Sequence, residues 1–123
     1  MTVNYIGKKT VIRDSFKEYA EKRLKKLGKF FDDDPVVNII VTNHNEDETV
    51  EVTIQSHGMF FRAERTSDDR QASLDLVLDV LQKQIVRNKE RLEKRMKATM
   101  DFTAFGPRLV WNRLARFAMA VGT

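Results

Sequence analysis

Two sets of cationic residues recur at spacings that would place each along one side of a helix: Lys22, Lys25 and Lys29, then Lys83, Arg87, Arg91 and Lys94. At roughly 100° and ~1.5 Å per residue they make rows of ~10 Å and ~16 Å. Cations in a row on a rigid rod suit a polyanion whose phosphates repeat along a backbone, because each one can replace a condensed counterion. The chemistry on offer is therefore phosphate binding. Other chemistries find less support. His44 and His57 are the only histidines, and neither has a third ligand at metal spacing. The run Asp32, Asp33, Asp34 lacks the pattern of a calcium loop and reads as the segment that ends a helix. The absence of cysteine removes disulfides, thiolate zinc sites and cysteine nucleophiles. No phosphate-cradling glycine loop, nucleophile elbow or catalytic carboxylate pair is present. The expectation is a binding protein, not an enzyme, with no cofactor and no metal.

Hydrophobic periodicity sets the elements that must position the rows. Thr2 to Ile6 have the β-branched and aromatic character of a short strand, ended by Gly7. From Asp14, a suitable N-cap, apolar residues repeat with a period near 3.6 through Phe16, Tyr19, Ala20, Leu24, Leu27 and Phe31, which predicts a helix over about Ser15 to Phe30. The acidic run and Pro35 break it. Val37, Ile39 and Val41 then alternate with Asn38, Ile40 and Thr42; a polar turn spans Asn43 to Asp47; Val50, Val52 and Ile54 alternate again. Gly58 marks a tight turn before a fourth strand over Met59 to Glu64, so these three strands read as an antiparallel meander. Ser67 and Asp68 offer an N-cap, and Leu74, Val77, Leu78, Leu81, Ile85, Leu92 and Met96 predict a helix of about thirty residues. The fold class is α+β, in the order β-α-β-β-β-α, with a four-stranded sheet carrying two helices on one face.

A chain of 123 residues, 41% hydrophobic and 33% charged, fits one folded domain. The net charge of +4 is unevenly spread. Residues 1–31 hold nine Lys/Arg against three Asp/Glu, residues 32–69 hold two against ten, and residues 70–100 hold eight against four. Basic blocks thus coincide with the predicted helices and the acidic block with the strands and turns. With both helices on one face, the cationic rows share a side, and in the second helix Leu76 and Val80, opposite the core, can touch the first. That is an electrostatic footprint for a polyanion. Folded RNA suits it better than DNA, since no helix-turn-helix or zinc pattern is present. Met59, Phe60 and Phe61 read as core and sheet packing. No run of ~18 apolar residues occurs and the first fifteen residues lack the apolar core of a secretory signal, so no membrane span and a cytoplasmic home are expected.

The segment from Val50 to Lys94 is similar to the same stretch of the ribosome hibernation promoting factors, also called ribosome-associated inhibitors and sigma-54 modulation proteins. The likeness covers residues 2 to about 97. It is carried by Gly58, Arg62-Ala63-Glu64, Asp69, Leu74-Asp75, Asp79, Leu81, Lys83-Gln84-Ile85, Arg87, Lys89 and Arg91. Gly7, Asp14, Tyr19, Lys22, Leu24 and Lys26-Leu27 extend it toward the N-terminus. Gln71, Val80 and Asn88 depart from it. The resemblance implies an arrangement like double-stranded-RNA-binding domains, lodged between the head and body of the small ribosomal subunit, excluding messenger and transfer RNA sterically. Carried over, Lys22, Lys25, Lys26, Lys29, Lys83, Arg87, Lys89 and Arg91 would contact ribosomal RNA phosphates, with Lys94 and Arg95 as additions.

Residues 1–100 thus read as a ribosome-binding domain, and residues 101–123 as an atypical tail. Within the tail Leu109, Val110, Leu114, Phe117 and Ala118 have helical spacing beside Arg108, Arg113 and Arg116. This leaves open a second reading, a protein-interaction module that self-associates through the tail or a sheet edge as a homodimer.

Overall fold

The computed structural model describes residues 1–31, 33–56 and 58–102; of Glu93 and residues 96–102 it describes the helical backbone alone. Asp32, His57 and the predicted tail from residue 103 onward lie outside the described residues. The elements are β1 (Thr2–Lys8), α1 (Asp14–Gly28), β2 (Val36–His44), β3 (Asp47–Ser56), β4 (Met59–Ser67) and α2 (Arg70–Phe102).

Because side chains alternate across a strand, Val37, Ile39 and Val41 of β2 and Val50, Val52 and Ile54 of β3 all point to one face and are fully buried there. Phe61 and Ala63 of β4 extend that face. Both helices cover it, α1 with Phe16, Ala20, Leu24 and Leu27, and α2 with Leu74, Val77, Leu78, Leu81 and Ile85, so the interior is one cluster. Each fully buried aliphatic side chain there stabilises the fold by ~1.5–3 kcal/mol.

The sheet order is β1-β2-β3-β4. The last three strands form the antiparallel meander, whereas β1 lies parallel to β2 with Thr2 opposite Val36, which makes the sheet mixed. Parallel neighbours need a crossover, and α1 is that crossover. Each helix follows a strand pointing the same way, so α1 and α2 lie side by side and parallel.

Several boundaries move from those the sequence suggests. Arg13, in extended backbone, occupies the N-cap of α1 without a side-chain hydrogen bond, and Asp14 sits in the first turn, where its negative charge complements the helix dipole. The helix stops at Gly28; the amides of Phe30 and Phe31 then bond to the carbonyls of Leu27 and Gly28 at 3.0 and 3.1 Å. That tight turn swings both phenylalanines into the core, and Phe31 meets Phe61 edge-on at 6.2 Å. The β2–β3 turn shrinks to Asn45 and Glu46, because Asn43 bonds Glu48 across the strands at 3.0 Å and Asn45 adopts a left-handed φ of 57°. At α2 the cap is Asp69, whose carboxylate accepts the Gln71 amide at 3.3 Å. Ser67, one of the two residues expected there, is the last residue of β4, and its hydroxyl bonds that of Ser73 at 2.7 Å.

Arg70 anchors the start of α2. Its guanidinium donates to the Thr10 hydroxyl at 2.6 Å, the Val11 carbonyl at 3.0 Å and the Glu48 carboxylate at 3.2 and 3.3 Å, joining the β1–α1 loop, β3 and α2.

Candidate nucleic-acid interface

Both helices rest on the same face of the sheet, so the direction away from the sheet is common to them. At roughly 100° per residue, Lys22 and Lys26 of α1, Lys29 at its C-cap, and Lys83, Arg87 and Lys94 of α2 point that way. Lys25 leans toward the rim beyond α1, and Arg91 toward the flank of α2 remote from α1. All eight are exposed. The remaining two residues of the carried-over set are placed differently. Lys89 is half-buried and Arg95 is exposed, and each already makes an interaction.

Among the described residues, Lys22, Lys25, Lys26, Lys83, Arg87, Arg91 and Lys94 have no carboxylate within ion-pairing distance, while Arg23, Arg62 and Arg70 all do. Lys29 Nζ lies 5.3 Å from the ring centre of Phe30. Exposed, uncompensated ammonium and guanidinium groups on a convex helical layer can accept phosphates without first breaking an internal pair. A shallow hollow of about 490 Å³ on α2 is lined by Asp79, Gln82, Lys83, Val86, Arg87 and Glu90. A phosphate seated there would meet Lys83 and Arg87 and be repelled by the two carboxylates.

The meeting of the helices is polar and was not legible in the helical wheel. The Tyr19 hydroxyl donates to both carboxylate oxygens of Asp75, at 2.7 and 2.9 Å. Arg23 Nε lies 3.3 Å from Asp75, and its terminal nitrogen 3.7 Å from Asp79. The hydrogen bond to Asp75, aided by burial, pushes the Tyr19 phenol above its ordinary pKa. Leu76, which the wheel assigns to the α1 contact, is 47% exposed instead, and Val80 packs against the core. The reason is that α1 lies beside α2 and not above it, so the side opposite the core faces solvent. A signal existed: Tyr19 and Arg23 stand four residues apart, as do Asp75 and Asp79, and such pairs share a helix face.

Elsewhere, Phe61 is buried and Met59 partly so, but Phe60 is 56% exposed on the open face of the sheet, which corrects its assignment to packing. Among the three departures from the family pattern, Gln71 is exposed, and Asn88 Nδ2 approaches Met59 Sδ at 2.8 Å. Among the described residues no group of three or more His, Cys, Asp or Glu could hold a metal ion, and no helix is long and apolar enough to cross a membrane.

A family described as sigma 54 modulation protein / S30EA ribosomal protein matches residues 3–93. The chain is 30% identical over 102 residues to a ribosome hibernation promotion factor of Staphylococcus aureus (strain COL), covering 80% of this chain and 54% of that one. It therefore spans about half the length of that relative. It is 28% identical over 97 residues to a ribosome hibernation promoting factor of Azotobacter vinelandii, covering 79% of this chain and 91% of that one. Among solved structures, the Protein Y N-terminal domain of Thermus thermophilus superposes with a TM-score of 0.67 at 25% identity, covering 71% of this chain and 98% of that one. A ribosomal subunit interface protein from Coxiella burnetii shares the fold, with a TM-score of 0.64 at 21% identity over 73% of this chain and 99% of that one. With the family match spanning five of the six elements and most of α2, the chain belongs to the sigma 54 modulation protein / S30EA ribosomal protein family.

Proposed function

We propose that this chain is a ribosome-associated inhibitor of translation. It binds small-subunit ribosomal RNA in the decoding region and excludes messenger and transfer RNA by occupying their space. The observation that carries this reading is the outer helical face, where Lys22, Lys25, Lys26, Lys83, Arg87, Arg91 and Lys94 stand without ion-pair partners among the described residues. The relatives named as ribosome hibernation factors support the ribosome as the partner. Lys29 belongs to the same face; Lys89 and Arg95 join at its margins by exchanging their present interactions for phosphates. Residues 1–100 form the ribosome-binding domain, the reaction is binding without catalysis, and the setting is the cytoplasm, where ribosomes work.

Phosphate binding of this kind releases counterions, so log K should fall linearly with log salt by ~0.7–0.9 for each neutralised phosphate. The test is co-sedimentation of the purified chain with small ribosomal subunits over a salt series, with and without competing transfer RNA. Binding that weakens with salt and is displaced by transfer RNA is expected. A chain that stays at the top of the gradient at low salt rejects ribosome binding, and binding indifferent to transfer RNA rejects the decoding-region assignment.

A further inference from the structure

The cluster between the helices stands where it works against the surrounding field. Asp75 and Asp79 place two carboxylates between cationic rows, which on charge alone would weaken a polyanion's hold. A geometric role accounts for them. Apolar packing on the sheet holds the inner sides of α1 and α2, but such packing is non-directional, and the helices otherwise touch each other sparingly. A roll of ~30° would carry a group ~6 Å from a helix axis through ~3 Å, enough to lose a charged hydrogen bond.

Resting on the RNA-binding reading above, we propose that Tyr19, Arg23 and Asp75 are positioning residues, a clasp that sets the rotation and spacing of the two cationic rows so that both meet one RNA surface in register. Asp75 receives the Tyr19 hydroxyl through both oxygens, at 2.7 and 2.9 Å, and pairs with Arg23 at 3.3 Å. Tyr19 and Arg23 are one turn apart on α1, so a single carboxylate on α2 fixes both the roll and the height of its neighbour. The Arg23 side chain is held within the clasp, since its Nε is shut off from solvent, makes no hydrogen bond and is compensated by the ion pair with Asp75. It belongs to the support of the RNA face and not to the face itself.

The clasp and simple charge counting predict opposite signs, which makes the inference testable in the full chain with small subunits over a salt series. Asp75→Asn removes an anion from a basic surface and releases Arg23, so charge counting gives tighter binding and a steeper salt slope. The clasp gives binding weaker by about tenfold and a slope shallower by ~0.7–0.9, the signature of one lost phosphate contact. Tyr19→Phe, which changes no charge, should move both quantities the same way by less, and it decides alone if Asp75→Asn fails to fold. Unchanged or tighter binding of a folded variant, with unchanged or steeper slope, overturns the clasp. Failure of the parent chain to bind instead rejects the function on which it rests.

Discussion

The outer face of the helices and the open face of the sheet carry charges of the same kinds but treat them differently. On the sheet, Arg62 of β4 lies between two glutamates, 2.9 Å from Glu51 on the neighbouring strand and 3.5 Å from Glu64 on its own. The pairing with Glu51 pushes the guanidinium pKa further up, so the charge is permanent but compensated. On the helices, Lys22, Lys25, Lys26, Lys83, Arg87, Arg91 and Lys94 have no such partner among the described residues. Charge content alone therefore does not separate the two faces; what separates them is whether the charge has an internal partner.

The largest effect should come from inverting the helical face. Replacing Lys25, Lys29, Arg87 and Arg91 together by glutamate leaves the core untouched and should lower affinity for small subunits by on the order of a hundredfold or more. Circular dichroism and a cooperative melt should match the parent; undiminished co-sedimentation would show that the helical face is not the one used. A far smaller effect is expected on the sheet side. Arg62→Ala should leave ribosome affinity within about twofold and the thermal melt almost unmoved, because the Arg62 side chain is exposed and its ion pairs are screened by solvent. A large loss of binding in this variant would erase the distinction between the two faces.

The smallest effect concerns what holds the helical layer to its support. Tyr5 on β1 donates to the Lys17 carbonyl and to Glu21 of α1, each at 3.3 Å. Burial, then the Glu21 charge, pushes its phenol from 10.0 up to about 12. Folding thus favours the neutral phenol: its contribution is complete below pH 10 and is lost as pH rises through about 12. Thermal melts across that window should show a decline that Tyr5→Phe makes shallower, and an identical decline in both proteins would assign the alkaline loss elsewhere.

Much of the fold was written in local periodicity. Alternation in β2 and β3 and the 3.6-residue repeat in α2 each reflect one buried face, and a buried face leaves its mark on neighbouring residues in sequence. The cationic rows were legible for the same reason, since they are the complement of those buried stripes. What could not be read depends on partners remote along the chain. Asp75 meets Tyr19 across 56 residues, and Arg70 reaches Thr10 across 60. Spacing pairs Tyr19 with Arg23 and Asp75 with Asp79 within each helix but does not pair one couple with the other, so Arg23 could not be told from Lys22 or Lys26, and the α1 contact of α2 fell on the wrong side. The cap of α2 moved by a residue or two because Ser67, Asp68 and Asp69 all have capping side chains. Extension of β4 to Ser67 decides among them.

Many of the acids lie on the side remote from the cationic rows. Glu46 lies at the hairpin tip, and Glu51 and Glu64 on the open sheet face outnumber the Arg62 that lies between them. Opposite signs on opposite sides make the molecule an electric dipole, and a dipole drifting toward a polyanion feels a torque before it feels a contact. For the RNA target proposed above it would arrive already turned, helices first, so fewer collisions would be wasted and the encounter rate would rise. That advantage fades once ions shorten the Debye length to ~8 Å, a fraction of the width of the domain.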